Sequence, residues 1–245
     1  VNGAVMTAHV TLAAGDAHGK KVLERQRVYV YEAPVRIWHW VSAFSILSLA
    51  LTGYFIGSPL PSVSGEVSAY GLMSSVRFIH FASGQLLAVF LILRIYWAFV
   101  GNVQARQIFH VPVWSGHFWK EWLHEVCWYT FLAPQPKKHM GHNPLAQFTM
   151  FFMFTLPLFF TMITGFALYS ESAGPDSWGY QLFGWVFSIR PNSQDVHTYH
   201  HLGMWVILVF VMVHIYVAVR EDILSRQSII SSMVSGERLF EETED

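Results

Sequence analysis

HHLGMWVILVFVMVHIYVAVRED, residues 200–222, decides the fold. Between His201 and Arg220 it carries no acid, Lys or Arg, and it then closes on Arg220-Glu221-Asp222. A run of about 20 apolar residues is what a helix needs to cross the hydrocarbon core of a bilayer. The span is drawn at about 200–219, and three others precede it, at about 38–57, 78–100 and 145–169. Only Arg94, near the end of the second, interrupts them with a charge. Lipid cannot satisfy free backbone N–H and C=O groups, so the spans are helical and the predicted fold is all-α, a four-transmembrane-helix bundle over residues 36–222. Pro157, inside the third span, predicts a kink.

Composition agrees. The 245 residues are 53% hydrophobic and only 13% charged, where a soluble domain carries about 25% charged residues. A formal net charge of −1 and the lack of a basic patch exclude a nucleic-acid partner. One cysteine, Cys127, leaves no intramolecular disulfide, Cys-based zinc site or iron–sulfur cluster held by this chain alone. Residues 1–35 lack the apolar run of a signal peptide and read as a polar, mobile cytoplasmic tail; residues 223–245 read as a second tail.

Orientation follows from Lys and Arg. Lys20, Lys21, Arg25, Arg27 and Arg36 precede span one. Arg106, Lys120, Lys137 and Lys138 lie between spans two and three, and Arg220, Arg226 and Arg238 follow span four. The opposite side has Arg77 and Arg190. The positive-inside rule places both termini in the cytoplasm. Residues 114–133 are aromatic and fairly apolar, but Lys120, Glu121 and Glu125 make spanning costly. With Trp119, Trp122, Val126 and Tyr129 at helical spacing, they predict an amphipathic helix in the cytoplasmic interface, and residues 178–189 a similar element outside. Leu51-Thr52-Gly53-Tyr54 and Ile163-Thr164-Gly165-Phe166 echo one another at the outward ends of spans one and three. The echo is a consistency check on the topology, and a chance match of four residues would look the same.

Ionisable side chains at membrane depth point to function. His39 begins span one on the cytoplasmic side, and His80 begins span two outside. His200 begins span four outside, with His214 fourteen residues later. Fourteen residues of helix are about 21 Å of rise and return the side chain to within about 40° of the same face. One helix therefore serves two levels: His80 with His200 outside, His39 with His214 inside. Such bis-imidazole pairs suit haem iron, whose filled axial positions favour electron transfer. Zinc needs three or four protein ligands; donor count alone leaves copper open. Arg36 and Arg77 each precede a ligand by three residues and are candidate haem-propionate partners. Gly84 and Gly203 would admit a flat macrocycle, though small residues equally serve helix packing. His197 and His201 rival His200 as ligand. For His9, His18, His110, His117, His124 and His139 the reading is ordinary hydrogen bonding or headgroup contact.

The ordered segments YEAPVRIWHW (31–40), TGYFIG (52–57), RIYWA (94–98), GHNPLA (141–146), TGFA (164–167), DVHTYHHLGMW (195–205) and REDI (220–223) resemble the b-type cytochrome subunit of membrane-bound nickel–iron uptake hydrogenases. That family is related to the cytochrome b subunit of membrane formate dehydrogenases, and the resemblance covers about residues 29–236. It implies four spans and two b haems per chain, ligated by His80/His200 near the periplasm and His39/His214 near the cytoplasm. It also implies a bacterial inner-membrane location and a periplasmic small subunit, anchored by its own C-terminal helix, beside a nickel–iron large subunit. The complex is a candidate multimer. Electrons from H₂ would pass outward to inward through this chain to a membrane quinone, with hydrogen activation left to the partners. Charge crossing the bilayer is worth about 2.3 kcal/mol per electron per 100 mV. His142 and Asn143, on the cytoplasmic side, are candidate quinone or proton-path neighbours, or else the cap of span three. The alternatives are a formate dehydrogenase or other periplasmic reductase as electron donor, and, in another class, a histidine-lined metal transporter.

Overall fold

The computed structural model describes residues 7–10, 25–59, 71–133, 142–225 and 228–241. Within them run β1 (Thr7–Val10), β2 (Arg25–Tyr29), α1 (Ala33–Gly57), α2 (Leu72–Val100), α3 (Val103–Arg106), α4 (Gly116–Tyr129) and α5 (Pro144–Met150). A π-helical turn, Phe151–Thr155, leads into α6 (Leu156–Glu171). Then follow α7 (Trp178–Phe183), α8 (Trp185–Ile189), α9 (Ser193–Ser225), α10 (Ile229–Ser235) and β3 (Glu237–Glu241). Four helical stretches are long and apolar enough to cross a membrane: Ala33–Gly57, Leu72–Val100, Pro144–Glu171 and Ser193–Leu224. Each contains the predicted span and extends it, because the polar flanks Glu32-Ala33-Pro34 and Asn192-Ser193 start helices before the apolar run begins. Phe44, Ile92 and Leu202 are more than half exposed. Apolar faces of this kind are those lipid would cover.

Pro157 acts through the π-helical turn. Proline lacks the N–H its helix needs and crowds the carbonyl four residues back. Just upstream, the Leu156 amide bonds to Phe151 O, five residues back, so one widened turn re-registers the ladder before α6.

The chain divides into two compact units. The first comprises Val1–Ile37, Tyr96–Phe148 and Met212–Asp245. Here the two segments expected to be polar tails meet in an antiparallel sheet ordered β1-β2-β3, with Thr7 opposite Val28 and Tyr29 opposite Glu237. The sheet adds to the all-α expectation. Its cause is a short apolar run, Val28, Val30 and Tyr31, which is buried with Val35 and Ala105 against Trp97 and Met233. Gly236, at φ +87°, ends α10, and its carbonyl accepts from both Val30 N and Tyr31 N. A Cβ there would come within 2.7 Å of Tyr31 O. Glu32 ties this corner together by accepting from Trp97 Nε1 at 2.9 Å and Asn102 N at 3.0 Å. The remainder of the N-terminal tail, Lys137, Lys138, His139, Arg226 and the last four residues lie outside the described residues.

Also in this unit, Ser115 caps the predicted amphipathic helix α4, whose Trp119 and Trp122 stack edge-on against Phe148. The guanidinium of Arg220 lies over the Trp128, Tyr129 and Phe131 rings at 5.0–5.2 Å.

The second unit comprises Trp38–Ile95 and Thr149–Val211. Ala167, Val186 and Val196 form a buried cluster where α7 and α8 fold back on α6. Ser48 and Ser83 hydroxyls meet at 3.0 Å between α1 and α2.

Candidate functional site

The second unit brings His80 of α2 and His200 of α9 together. Their ring centroids are 6.3 Å apart, with planes inclined at 70°. The elements that hold them are α1 and α6. On α1, Thr52 Oγ1 donates to Ser48 O at 2.6 Å, so its proton is committed. Its lone pair then accepts from His80 Nδ1, 2.9 Å away. On α6, Thr164 Oγ1 donates to Phe160 O at 2.9 Å and accepts from His200 Nδ1 at 3.0 Å. Both imidazoles are thereby Nδ1-protonated, and Nε2 is the lone-pair nitrogen of each. Both threonines are buried.

The fit to a metal cofactor can be tested on this spacing. Two metal–imidazole bonds of about 2.0 Å, each with roughly 1.15 Å from nitrogen to ring centre, put the centroids of a linear pair about 6.3 Å apart. The observed 6.3 Å admits such a pair, as it admits an ordinary edge-on ring contact. Among the described residues, no three of His, Cys, Asp and Glu are grouped to hold a metal ion, so the donor set here is two neutral imidazoles. That set suits an axially ligated haem iron.

The glycine after each threonine supplies room for a ring. A Cβ on Gly53 would lie 3.2 Å from His80 Cε1, and one on Gly165 would lie 2.9 Å from His200 Cε1. The LTGY/ITGF echo in the sequence therefore has a physical counterpart: each copy holds one histidine of the pair. Sequence reasoning noted the echo but gave these four residues no role, because the partner of each lies on another helix.

The two rivals of His200 are placed differently. His197 is exposed, and its Nδ1 bonds to Ser193 O in its own helix at 3.0 Å. The His201 ring stacks parallel to Trp205, and its Cε1 would be 3.0 Å from a Cβ on Gly57. His39 lies on α1 in the second unit, with its ring edge-on to Trp40. His214 lies on α9 in the first unit. Arg36 Nη1 donates to Val234 O. Arg77, three residues before His80, is exposed. A Cβ on Gly84 would make only an ordinary 3.8 Å contact with Leu49 Cδ2. One on Gly203 would come within 2.4 Å of Thr161 Oγ1, so at that point the glycine lets α9 close on α6.

Two further clusters join residues that the sequence marks only singly. Arg94 is buried, with its guanidinium over the buried Trp38 ring at 5.4 Å. In the first unit, Asn143 Oδ1 accepts from Ala146 N at 2.7 Å, the predicted cap of span three. The same Asn143 side chain donates to buried Glu125 and to Tyr129 Oη. Burial, with the nearby Glu221 carboxylate, pushes the Tyr129 hydroxyl up to about 12 despite the opposing Asn143 bond and Arg220 charge. His142 bonds to Gln107 Oε1 through both its amide and its Nδ1, each at 3.0 Å.

Comparison with known proteins shows the family. The model of the family described as prokaryotic cytochrome b561 matches residues 30–236. A protein of Rhizobium leguminosarum bv. viciae, described as a probable Ni/Fe-hydrogenase B-type cytochrome subunit, is 82% identical over 98% of this chain and all of its own. Proteins of the same description from Azotobacter vinelandii and Escherichia coli K12 are 56% and 49% identical. They cover 97% and 86% of this chain, and 98% and 90% of their own. With a bis-imidazole site in its apolar helices and this match along nearly its whole length, the chain belongs to the prokaryotic cytochrome b561 family, among the Ni/Fe-hydrogenase B-type cytochrome subunits.

Proposed function

We propose that this chain is the dihaem membrane subunit that passes electrons from a periplasmic nickel–iron hydrogenase to membrane quinone. The observation that carries the reading is the His80/His200 pair, with ring centroids 6.3 Å apart and both Nδ1 atoms committed to threonines. Held by these imidazoles, b haem would supply one-electron chemistry. In this proposal His80 and His200 hold the periplasmic haem, and His39 and His214 hold the cytoplasmic one. Arg36 and Arg77 serve the propionates, whereas Gly203 serves the packing of α9 on α6. Hydrogen activation belongs to the partner subunits: the large subunit, and the small subunit with its C-terminal anchor helix.

The charge asymmetry supports a multi-pass inner-membrane protein with both termini cytoplasmic. The tryptophan-rich face of α4 supports its lying in the cytoplasmic interface. On that side Asn143, Glu125, Tyr129 and His142 form a polar neighbourhood suited to a quinone or to proton uptake. Replacing His214 with Ala in the assembled complex is expected to remove one of two haems and stop quinone reduction. Hydrogenase activity with an artificial acceptor should persist. Unchanged quinone reduction in that variant would reject the assigned route.

A further inference from the structure

We propose that Thr52-Gly53 and Thr164-Gly165 form a duplicated seat for the two imidazoles of the His80/His200 pair, the threonine setting tautomer and rotation and the glycine vacating the volume each ring fills. The inference deepens, and rests on, the reading of His80 and His200 as haem ligands.

Three observations carry it. In both copies the threonine hydroxyl spends its proton on the carbonyl four residues back, at 2.6 Å for Thr52 and 2.9 Å for Thr164. It can then act toward the ring only as acceptor, which requires Nδ1–H and leaves the lone pair on Nε2. In both copies the client histidine lies on another helix: α1 holds a residue of α2, and α6 holds a residue of α9. In both, the next residue turns its missing side chain toward Cε1 of the same ring, at 3.2 and 2.9 Å from an added Cβ. Hydrogen bond and steric vacancy thus act on neighbouring atoms, Nδ1 and Cε1, and together fix one edge of each imidazole.

His201 provides an internal contrast. Its ring also packs on a glycine, Gly57, yet residue 56 there is isoleucine, which has no hydroxyl to offer the ring. Glycine alone makes space; threonine with glycine makes a seat.

An outer hydrogen bond of this kind orients a ligating histidine and raises its basicity, and its loss typically costs about 10–100-fold in metal affinity. Greater basicity favours ferric over ferrous iron. Thr52→Val and Thr164→Val keep the shape and remove the acceptor. Redox titration of the full hydrogenase–cytochrome complex in membranes should then show one haem shifted to higher potential. The expected change is about tenfold in its reduced-to-oxidised ratio at fixed potential, or about 59 mV for one electron, with the other haem unmoved. Its low-spin electron-paramagnetic signal should change as the ring is freed, and Thr52→Ser and Thr164→Ser should restore both properties.

Valine variants with wild-type potentials and spectra would overturn the proposal, as would serine variants as defective as valine. Should the valine variants not accumulate, the serine variants decide alone: full haem content at an unshifted potential supports the hydroxyl role, and a lost or shifted haem refutes it. His80→Ala and His200→Ala separate the two levels of the argument. If they retain both haems, the ligand reading itself fails. If they lose one while the threonine variants are silent, only the seat fails.

Discussion

Gly165→Ala is the sharpest steric probe of the site. The new Cβ would lie 2.9 Å from His200 Cε1, well inside ordinary van der Waals contact. The ring cannot swing clear without stretching its 3.0 Å bond to Thr164, and the helix backbone on the other side is rigid. Overpacking of this kind costs about 1–3 kcal/mol, and a weakened hydrogen bond adds about 1 kcal/mol. Alanine returns roughly 1 kcal/mol through its helix propensity. The net expectation is a loss of about 1–3 kcal/mol, focused on one haem ligand. Gly53→Ala, at 3.2 Å from His80 Cε1, should show the same defect more weakly. Gly84→Ala, whose nearest neighbour is Leu49 Cδ2 at 3.8 Å, should be neutral or stabilising by up to about 1 kcal/mol. The assay is haem per chain in the purified complex, together with the temperature at which the b-type absorbance is lost at a fixed heating rate. The expected order of tolerance is Gly84→Ala, then Gly53→Ala, then Gly165→Ala. If Gly165→Ala matched Gly84→Ala in haem content and thermal resistance, the steric account of the site would be wrong.

Gly203→Ala should damage the approach of α9 to α6, since Thr161 Oγ1 would sit 2.4 Å from the new atom. Adding Thr161→Ala should recover most of the lost thermal resistance, and a double variant no better than the single one would refute the contact as cause. Tyr31 and Tyr129 are both pushed up to about 12, chiefly by burial. Their protonated forms are favoured in the folded state, so the stability they contribute is complete below about pH 10 and lost as pH rises toward 12. Ultraviolet titration should find both hydroxyls still protonated near pH 11 while exposed tyrosines have ionised; Tyr31→Phe and Tyr129→Phe identify them by removing that late step.

The parts legible in the sequence were those with a local cause. Each of the four spans is a run of apolar residues, and a bilayer imposes the same requirement on every such run. The helical reading of residues 114–133 also rested on a local pattern, Trp119, Trp122 and Tyr129 at helical spacing, and α4 runs over Gly116–Tyr129. Of the candidate ligands, His80 and His200 meet, while the fourteen-residue spacing on one helix had favoured His200 but kept His197 and His201 as rivals. The sheet was not legible, because β2 finds its partner β3 more than 200 residues away and each strand is only five residues long. Nothing in the local pattern of Arg25–Tyr29 names that partner.

Span positions and the helical character of those spans were properties of the amino-acid order alone, because solvation by lipid acts on each segment separately. Which nitrogen of each imidazole bears the proton, and why a threonine–glycine pair occurs twice, were decided only by tertiary packing. A hydrogen bond from α2 to α1, or from α9 to α6, exists only once those helices lie side by side. Its geometry follows from the facing surfaces of two helices, and no single helix encodes it.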